Sequence, residues 1–395
     1  MSEGWILKTL AFAILVGSVM ELIEKSGGVG GFIEYLHTKK TFINSPRSAL
    51  LLSYFIGVFI FIESSITSLI AGAVGKPLCD RYKIPHAKLA FVCDSTSAPI
   101  CSLIVLNGWG ALLLGLISTQ ITLGMISGNS IDILIDSILY NFYAMSALVV
   151  TFLAVWFNID IGAMKHTNFT THKQKKYPKG KSMFYMLLPI LLMIVSVFVF
   201  LYITGGGDII HGSGSSSIFY TMLITTLFTL VYFVGSKNMT LGMWSKNVFV
   251  GGKKLFVIAM ILLFAFAIGK VTVELKTGLY LASLANDNLS IYLLGGVIFL
   301  LSSVMAFATG TSWGTFSIMI PVAVPMAVGM DANVALCIGA VISGGVFGDH
   351  CSPISDTTII SAMASDCEVI EHVKTQLPYA LISAFIALIL FILFS

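Results

Sequence analysis

Gly348-Asp-His-Cys-Ser-Pro-Ile-Ser-Asp-Thr-Thr358 lies inside an apolar run that extends from about 332 to 365. Two carboxylates, Asp349 and Asp356, therefore fall where a helix would cross a bilayer, together with the hydroxyls of Ser352, Ser355, Thr357 and Thr358. Each charged group near a bilayer centre costs roughly 2.5–3.5 kcal/mol on insertion scales, and the run contains no Lys or Arg to offset it. Pro353 lacks an N–H and frees an upstream carbonyl, so the helix is expected to break here. Opened backbone at membrane depth is tolerated only inside protein or beside water. The run reads as an interrupted transmembrane helix with a polar break. A second run, about 87–120, carries the same signature at Asp94-Ser-Thr-Ser-Ala-Pro99, with Pro99 expected to fix its break.

Working outward, the whole chain suits a membrane. Of its 395 residues 57% are hydrophobic and 10% charged, and the mean hydropathy is +0.95; soluble domains carry about 25% charged residues. This composition excludes a soluble enzyme, a nucleic-acid binder and a disordered protein. The 36 glycines favour close helix packing. The apolar runs are too long for the alternating strands of an outer-membrane barrel. A net charge of +3 gives no reason to expect an acidic partner. Cys79, Cys93, Cys101, Cys337, Cys351 and Cys367 form no CxxC and no metal-ligand spacing, and read as reduced packing residues. The first apolar run, Trp5 to Ile23, lacks the basic flank and cleavage site of a signal peptide.

The membrane segments are expected at roughly 5–23, 48–75, 87–120, 133–157, 183–203, 217–234, 255–270, 293–326, 332–365 and 377–394. Segments 48–75 and 293–326 exceed the ~20 residues of a simple crossing, and each is interrupted, by Phe61–Ser68 and by Ala308–Thr315. Lys and Arg concentrate in 24–47, 76–88, 158–182 and 235–254, which with Lys374 hold 19 of the 22. If these loops are cytoplasmic, segment 48–75 has basic loops on both sides. It is expected to be a re-entrant hairpin opening inward, with its turn near Glu63–Thr67. The flanks of 293–326 are nearly free of Lys and Arg, which predicts a hairpin entering from the opposite side, with its tip near Thr309–Gly314. Parity then leaves both termini outside. An exterior start without an upstream helix is unusual and suggests a missing N-terminal portion.

The two ends of the chain resemble each other. Gly17–Gly28 echoes Gly269–Gly278, Glu63–Ser68 echoes Gly310–Ser317, and Asp94–Pro99 echoes Asp349–Pro353. The order is helix, hairpin, broken helix both times, with opposed orientation by the charge distribution. The expected organisation is repeat one over 1–127, connecting helices with the basic cytoplasmic loop 158–182 over 128–254, and inverted repeat two over 255–395. Inverted repeats are the common plan of secondary transporters, with the site where broken helices meet near the midplane. The fold expected is an all-α polytopic membrane protein, an inverted-repeat secondary transporter with two re-entrant hairpins and two broken transmembrane helices.

Hydroxyls, carboxylates and freed carbonyls are hard oxygen ligands that suit Na⁺ or Li⁺. The candidate ion- and proton-binding residues are Glu63 and Thr67 on hairpin one, and Asp94, Ser95, Thr96 and Ser97 on the first broken helix. Thr311 and Ser312 on hairpin two join them, with Asp349, Ser352, Ser355, Asp356 and Thr357 on the second broken helix. Four carboxylates, Glu63, Asp94, Asp349 and Asp356, thus lie in interrupted segments and are expected to be protonated, hydrated or bound to a cation. His350 is a candidate proton relay, with packing as its other reading. Desolvation raises a carboxylate's affinity for protons, so one site can hold a proton or an alkali ion but not both. That competition, with alternate exposure, yields antiport.

Three stretches carry a family resemblance: KLAFVCDSTSAPICSLI (88–104), FATGTSWGTFSIMIPVA (307–323) and FGDHCSPISDTTIISAMASDCEVIEHVKTQLPYAL (347–381). In these the sequence resembles the NhaC-type sodium/proton antiporter family. The resemblance covers most of the chain and is weakest in 121–250. It implies Na⁺ (or Li⁺) export coupled to H⁺ entry, and points to Asp94, Asp349, Asp356 and nearby hydroxyls. Many members carry paired aspartates at the first hairpin tip, where this chain has Glu63-Ser64, and relatives include exchangers of an organic acid. The expected function is therefore secondary active exchange of Na⁺ (or Li⁺) for H⁺ across a bacterial-type cytoplasmic membrane. The alternative is Na⁺- or H⁺-coupled exchange of a small organic solute. No resident cofactor, nucleotide motif or enzymatic activity is expected. The partners are the alkali cation, the proton, the lipid bilayer and, as an open alternative, a second copy in a homodimer.

Overall fold

The computed structural model describes residues 4–38, 45–61, 64–105, 107–169, 180–207, 214–275, 280 and 290–395. Among these residues every regular element is helical. The first half contains α1 (Gly4–Lys25), α2 (Gly28–Thr38), α3 (Pro46–Phe59), α4 (Ser64–Tyr82), α5 (His86–Leu103) and α6 (Gly108–Thr122). The middle contains α7 (Ser130–Leu139), α8 (Phe142–Trp156), a short 3₁₀ turn (Gly162–His166), α9 (Phe184–Thr204) and α10 (Gly214–Gly235). The second half contains α11 (Leu241–Glu274), α12 (Ile291–Thr309), α13 (Ser312–Gly329), α14 (Val334–Cys351), α15 (Asp356–Ser365) and α16 (Val369–Phe394). Five of these helices are individually long and apolar enough to cross a membrane (α9, α12, α13, α14 and α16), and two bent pairs raise the number to seven among the described residues. The chain is a multi-pass membrane protein.

Helix starts in so apolar a chain depend on the few small polar side chains available. Asn107 opens α6, Asn129 opens α7, Asn141 opens α8, Thr311 opens α13 and Ser355 opens α15, each accepting from N–H groups of the first turn. These caps satisfy donors that would otherwise be orphaned where no water reaches. Glycine sets the spacing between helices. A Cβ on Gly348 would lie 2.1 Å from the Ser303 carbonyl oxygen, so α14 rests backbone-to-backbone on α12. Gly251 plays the same part between α11 and α1, where a Cβ would meet the Gly17 oxygen at 2.2 Å.

The order of element types recurs, since α1, the pair α3/α4 and the pair α5/α6 are matched by α11, the pair α12/α13 and the pair α14/α15. In each half the paired helices pack on each other and on the broken helix that follows. The broken helices form the interior. In α14 83% of the span is buried, against 33% in α16, whose outer face is left for lipid.

Several boundaries differ from the sequence expectation. Helix α5 runs straight through Asp94–Pro99, and its break falls later, at Ile104–Asn107, with a 42° bend to α6. Thr96, Ser97 and Ser102 return hydrogen bonds to Val92, Asp94 and Pro99 carbonyls within the helix, which lets it absorb Pro99 instead of ending there. In the second half the break does fall at Pro353, between α14 and α15. Segment 133–157 is a bent pair, α7 and α8, with a 43° angle at Tyr140–Asn141. Helix α16 begins eight residues before the expected 377 and α11 spans 34 residues. Helix α2 lies within the basic stretch 24–47, where no helix was expected. The arms of the second hairpin contain 19 and 18 residues, so each reaches the length of a crossing.

Candidate functional site

Each hairpin tip is tied to the break of the interrupted helix in its own half. In the first half Asn107 accepts from Trp109 N (2.9 Å) and Gly110 N (3.0 Å), while its Nδ2 donates to the carbonyls of Phe61 (2.9 Å) and Cys101 (2.8 Å). One amide side chain thus closes the start of α6, the end of α5 and the tip between α3 and α4. In the second half Gly310 turns the chain between α12 and α13 at φ 66°, and a Cβ there would strike Ile354 in the α14/α15 break. Ser352, in that break, donates to the Phe307 carbonyl at 2.8 Å. The halves then meet through an edge-to-face contact of Trp109 and Trp313, with ring centroids 6.3 Å apart.

Asp94 on α5 is fully buried and ringed by donors from the second half. Its Oδ1 accepts from Ser361 Oγ (3.1 Å), and its Oδ2 accepts from Thr358 Oγ1 (3.2 Å) and Gln376 Nε2 (2.7 Å). His372 Nε2 lies 3.3 Å from the same Oδ2. Gln376 also donates to the His350 carbonyl (2.9 Å) and accepts from Ser95 (3.4 Å), which fixes the orientation of its amide. Ser361 continues through Ser68 (3.0 Å) to Ser97 (2.8 Å). A buried charge is stable where it is hydrogen-bonded this fully. Asp94 therefore joins α5 to α15 and α16.

Asp349 has a different environment. Its Oδ2 accepts from Thr357 Oγ1 at 3.0 Å, but its Oδ1 is buried and has no hydrogen-bond partner among the described residues. Ser312 Oγ is likewise buried and unpartnered there. Both residues line a cavity of about 240 Å³, together with Asp356, Thr311, Thr357 and Ser65. Asp356 starts α15, is open to this space, and accepts from Thr357 N at 2.9 Å. The C-terminal end of α14 adds carbonyl dipoles that favour a cation. Unpaired hard oxygens of this kind fit an alkali ion as cargo. Thr358 Oγ1 lies 3.2 Å from Asp94 Oδ2 and 3.3 Å from the Asp349 carbonyl, so the two aspartates share a neighbour.

The comparisons with known proteins bear on this arrangement. The Na⁺/H⁺ antiporter family model matches residues 100–395. A Haemophilus influenzae protein of uncharacterised function is 32% identical over 95% of this chain and 76% of its own length. The chain belongs to the Na⁺/H⁺ antiporter family. A malate-2H⁺/Na⁺-lactate antiporter of Bacillus subtilis is 37% identical over 26% of this chain and 21% of its own. In fold, the chain is similar to the Alcanivorax borkumensis YdaH transporter, described as having an unusual topology. The TM-score is 0.54 at 14% identity, over 98% of this chain and 85% of that one.

Set beside its family resemblance, the expected site divides. Asp349, Asp356, Thr357, Thr311 and Ser312 gather at the cavity. Asp94, Ser95 and Ser97 belong to the hydrogen-bonded junction beside it. Thr96 donates to the Val92 carbonyl at 2.7 Å, Thr67 to the Ile60 carbonyl, and Ser352 to hairpin two, so these three hydroxyls serve backbone. Ser355 caps α15 and sits 3.0 Å from Thr357 Oγ1. Asp94, Asp349 and Asp356 do not form one cluster: among the described residues no group of three His, Cys, Asp or Glu side chains is arranged to hold a common ion, and the Asp94 oxygens face donors on α15 and α16. Glu63 lies outside the described residues. His350 places Nδ1 2.9 Å from the Tyr143 hydroxyl, and its Nε2 has no partner among the described residues.

Sequence reasoning missed His372, Gln376 and Ser361 as partners of Asp94, and Glu21 as a wall of the cavity. His372 and Gln376 lie four apart, one helical turn, in the very stretch quoted for the family resemblance. Extending the last helix back through HVKTQ would have found them.

Proposed function

We propose that this antiporter-family chain exchanges Na⁺ or Li⁺ for H⁺ across the cytoplasmic membrane, with Asp349 and Asp356 as the exchange site. The observation that carries the reading is the buried Asp349 Oδ1, which has no protein donor and opens onto the same cavity as Asp356. A carboxylate in that position is stable with a proton on it or with a cation against it, and the two exclude each other. Thr311, Ser312 and Thr357 supply neutral oxygens to a dehydrated ion. The Asp94 junction positions α15 relative to α5 while the cargo changes.

The two halves act as inverted repeats, the basic loops face the cytoplasm, and alternate exposure comes from movement of the hairpin-and-break units about α1 and α11. Lys76 and Lys88 support this orientation. Lys76 pairs with Asp366 at 2.6 Å and Lys88 with Asp160 at 2.6 Å, so the basic stretch 76–88 is tied to the chain just past α15 and to the start of the basic loop 158–182, in keeping with one cytoplasmic side for both. No resident cofactor enters the cycle. The test is proton movement in everted vesicles on addition of Na⁺ or Li⁺. A chain that gives no response anywhere in the near-neutral pH range does not perform this exchange.

A second reading is exchange of a small organic solute coupled to Na⁺ or H⁺. The size of the cavity favours it, because 240 Å³ is the share of liquid volume of about eight waters at ~30 Å³ each. Counterflow of labelled solutes in proteoliposomes separates the two readings.

A further inference from the structure

Two features of the cavity are superfluous for a bare alkali ion. One is its aromatic wall. Trp109 and Trp313 both line the space, and an indole offers a metal ion no oxygen, whereas its large apolar face packs against an alkyl chain. The other is the charge balance. Glu21, Glu24, Asp349 and Asp356 all border the cavity, with Lys254 as the single lining cation among the described residues. Lys254 pairs with Glu21, and Lys25 lies 3.2 Å from Glu24 and 3.8 Å from Glu21. Among the described residues Glu21 and Glu24 are thus paired with lysines, whereas Asp349 and Asp356 have no lysine or arginine partner.

We propose that the cavity also accepts a short organic diammonium ion. One ammonium sits at Asp349 and Asp356, the alkyl chain packs on the Trp109 and Trp313 indoles, and the second ammonium takes the place of Lys254 on Glu21. The proposal rests on the reading of Asp349 and Asp356 as the exchange site. Glu21 is 4% exposed while the Lys254 side chain is 57% exposed, so a buried carboxylate is neutralised by a lysine that solvent can reclaim. Lys254 is itself a primary alkylammonium and displays the chemistry that Glu21 accepts. The pairing is built in: Gly251 and Gly252 bring α11 onto α1, with the ideal Cβ of Gly251 only 2.7 Å from Glu21 Cβ. The volume lies below the about 300–1,000 Å³ of drug-sized pockets, which limits the guest to a few heavy atoms.

The test titrates the purified full chain with NaCl, LiCl, 1,4-diaminobutane and butylamine by calorimetry. The diamine is expected to displace bound Na⁺ and to bind about tenfold tighter than the monoamine, a difference of about 1.4 kcal/mol. Glu21→Gln should bring the two amines to equal affinity. Lys254→Met should tighten the diamine, since its competitor is gone. Equal affinities in the wild type, or a diamine that leaves Na⁺ in place, overturn the proposal and leave the exchange site standing. Diamine binding with no Na⁺ or Li⁺ binding upholds the diammonium site and overturns the alkali-ion reading. Absence of all binding overturns both.

Discussion

The Gln376 side chain donates to the Asp94 carboxylate at 2.7 Å, and so joins the last helix to the broken helix of the first half. The same amide nitrogen donates to the His350 carbonyl at 2.9 Å. Gln376→Leu removes both donations and leaves a buried carboxylate oxygen and a buried carbonyl short of partners. Each unsatisfied group costs about 1–3 kcal/mol, so the variant should unfold at a clearly lower temperature in detergent. Gln376→Glu should be worse, since it sets a second carboxylate against Asp94. Thermal unfolding of the three proteins side by side checks the order; equal midpoints would mean that the contact is not formed in the membrane protein.

Asp349→Asn and Asp94→Asn should fail in different ways. The free Oδ1 of Asp349 makes no contact that asparagine would break, so Asp349→Asn should fold with near wild-type stability and lose ion-coupled proton flux. Asp94→Asn turns an amide nitrogen toward donors from Ser361, Thr358 or Gln376, and should lose stability as well as flux. Asp356→Asn should weaken Na⁺ binding. Full flux in Asp349→Asn would remove the proposed exchange site, and full flux with unchanged stability in Asp94→Asn would remove the positioning role of the junction.

Much of this arrangement is readable in the chain. Uncompensated aspartates in apolar runs have few tolerable locations, so the two interrupted helices and the polar centre follow from composition alone. The location of the α5 break does not follow. Proline marks a break only if nothing absorbs it, and whether Thr96, Ser97 and Ser102 back-bond within the helix depends on rotamers that sequence does not display. Asn107, three residues after the break begins, proves to be the stronger stop because it caps α6 and ties down Phe61 together. Glu21 escaped notice for a related reason. Its location on the cavity wall depends on α1 lying against α11, a contact set by Gly17 and Gly251 far apart in the chain.

Close packing of α14 on α12 should make Gly348 intolerant of any side chain. A Cβ would stand 2.1 Å from the Ser303 oxygen and 2.8 Å from the Ala306 Cβ, and the first of these neighbours is backbone that cannot swing away. Overpacking of this kind costs typically about 1–3 kcal/mol. Gly348→Ala should therefore lower the unfolding temperature, and Gly348→Val should prevent accumulation in the membrane. Because Asp349 is the next residue, Gly348→Ala should also weaken Na⁺ binding by moving the carboxylate. A variant that binds Na⁺ and unfolds like the wild type would show that the two helices lie further apart.

Lys76 and Asp366 form an ion pair at 2.6 Å, between a 7% exposed lysine on α4 and a 20% exposed aspartate just past α15. It ties hairpin one to the broken helix of the other half. Removing one partner of a buried pair strands the other charge, whereas removing both is often neutral. Asp366 also has a left-handed backbone at φ 61°, which asparagine tolerates well. Asp366→Asn should therefore destabilise the protein by leaving the buried Lys76 charge without its counter-ion, and Lys76→Met less so because water reaches Asp366. The double variant Lys76→Met/Asp366→Asn should be more stable than Asp366→Asn alone. If the halves move apart during transport, breaking the pair should also change the rate of exchange without changing Na⁺ affinity at equilibrium. A double-mutant cycle read by unfolding and by vesicle flux separates the contributions. Strict additivity in stability would mean that the pair carries no coupling, and unaltered flux in all three variants would mean that this contact persists through the whole transport cycle.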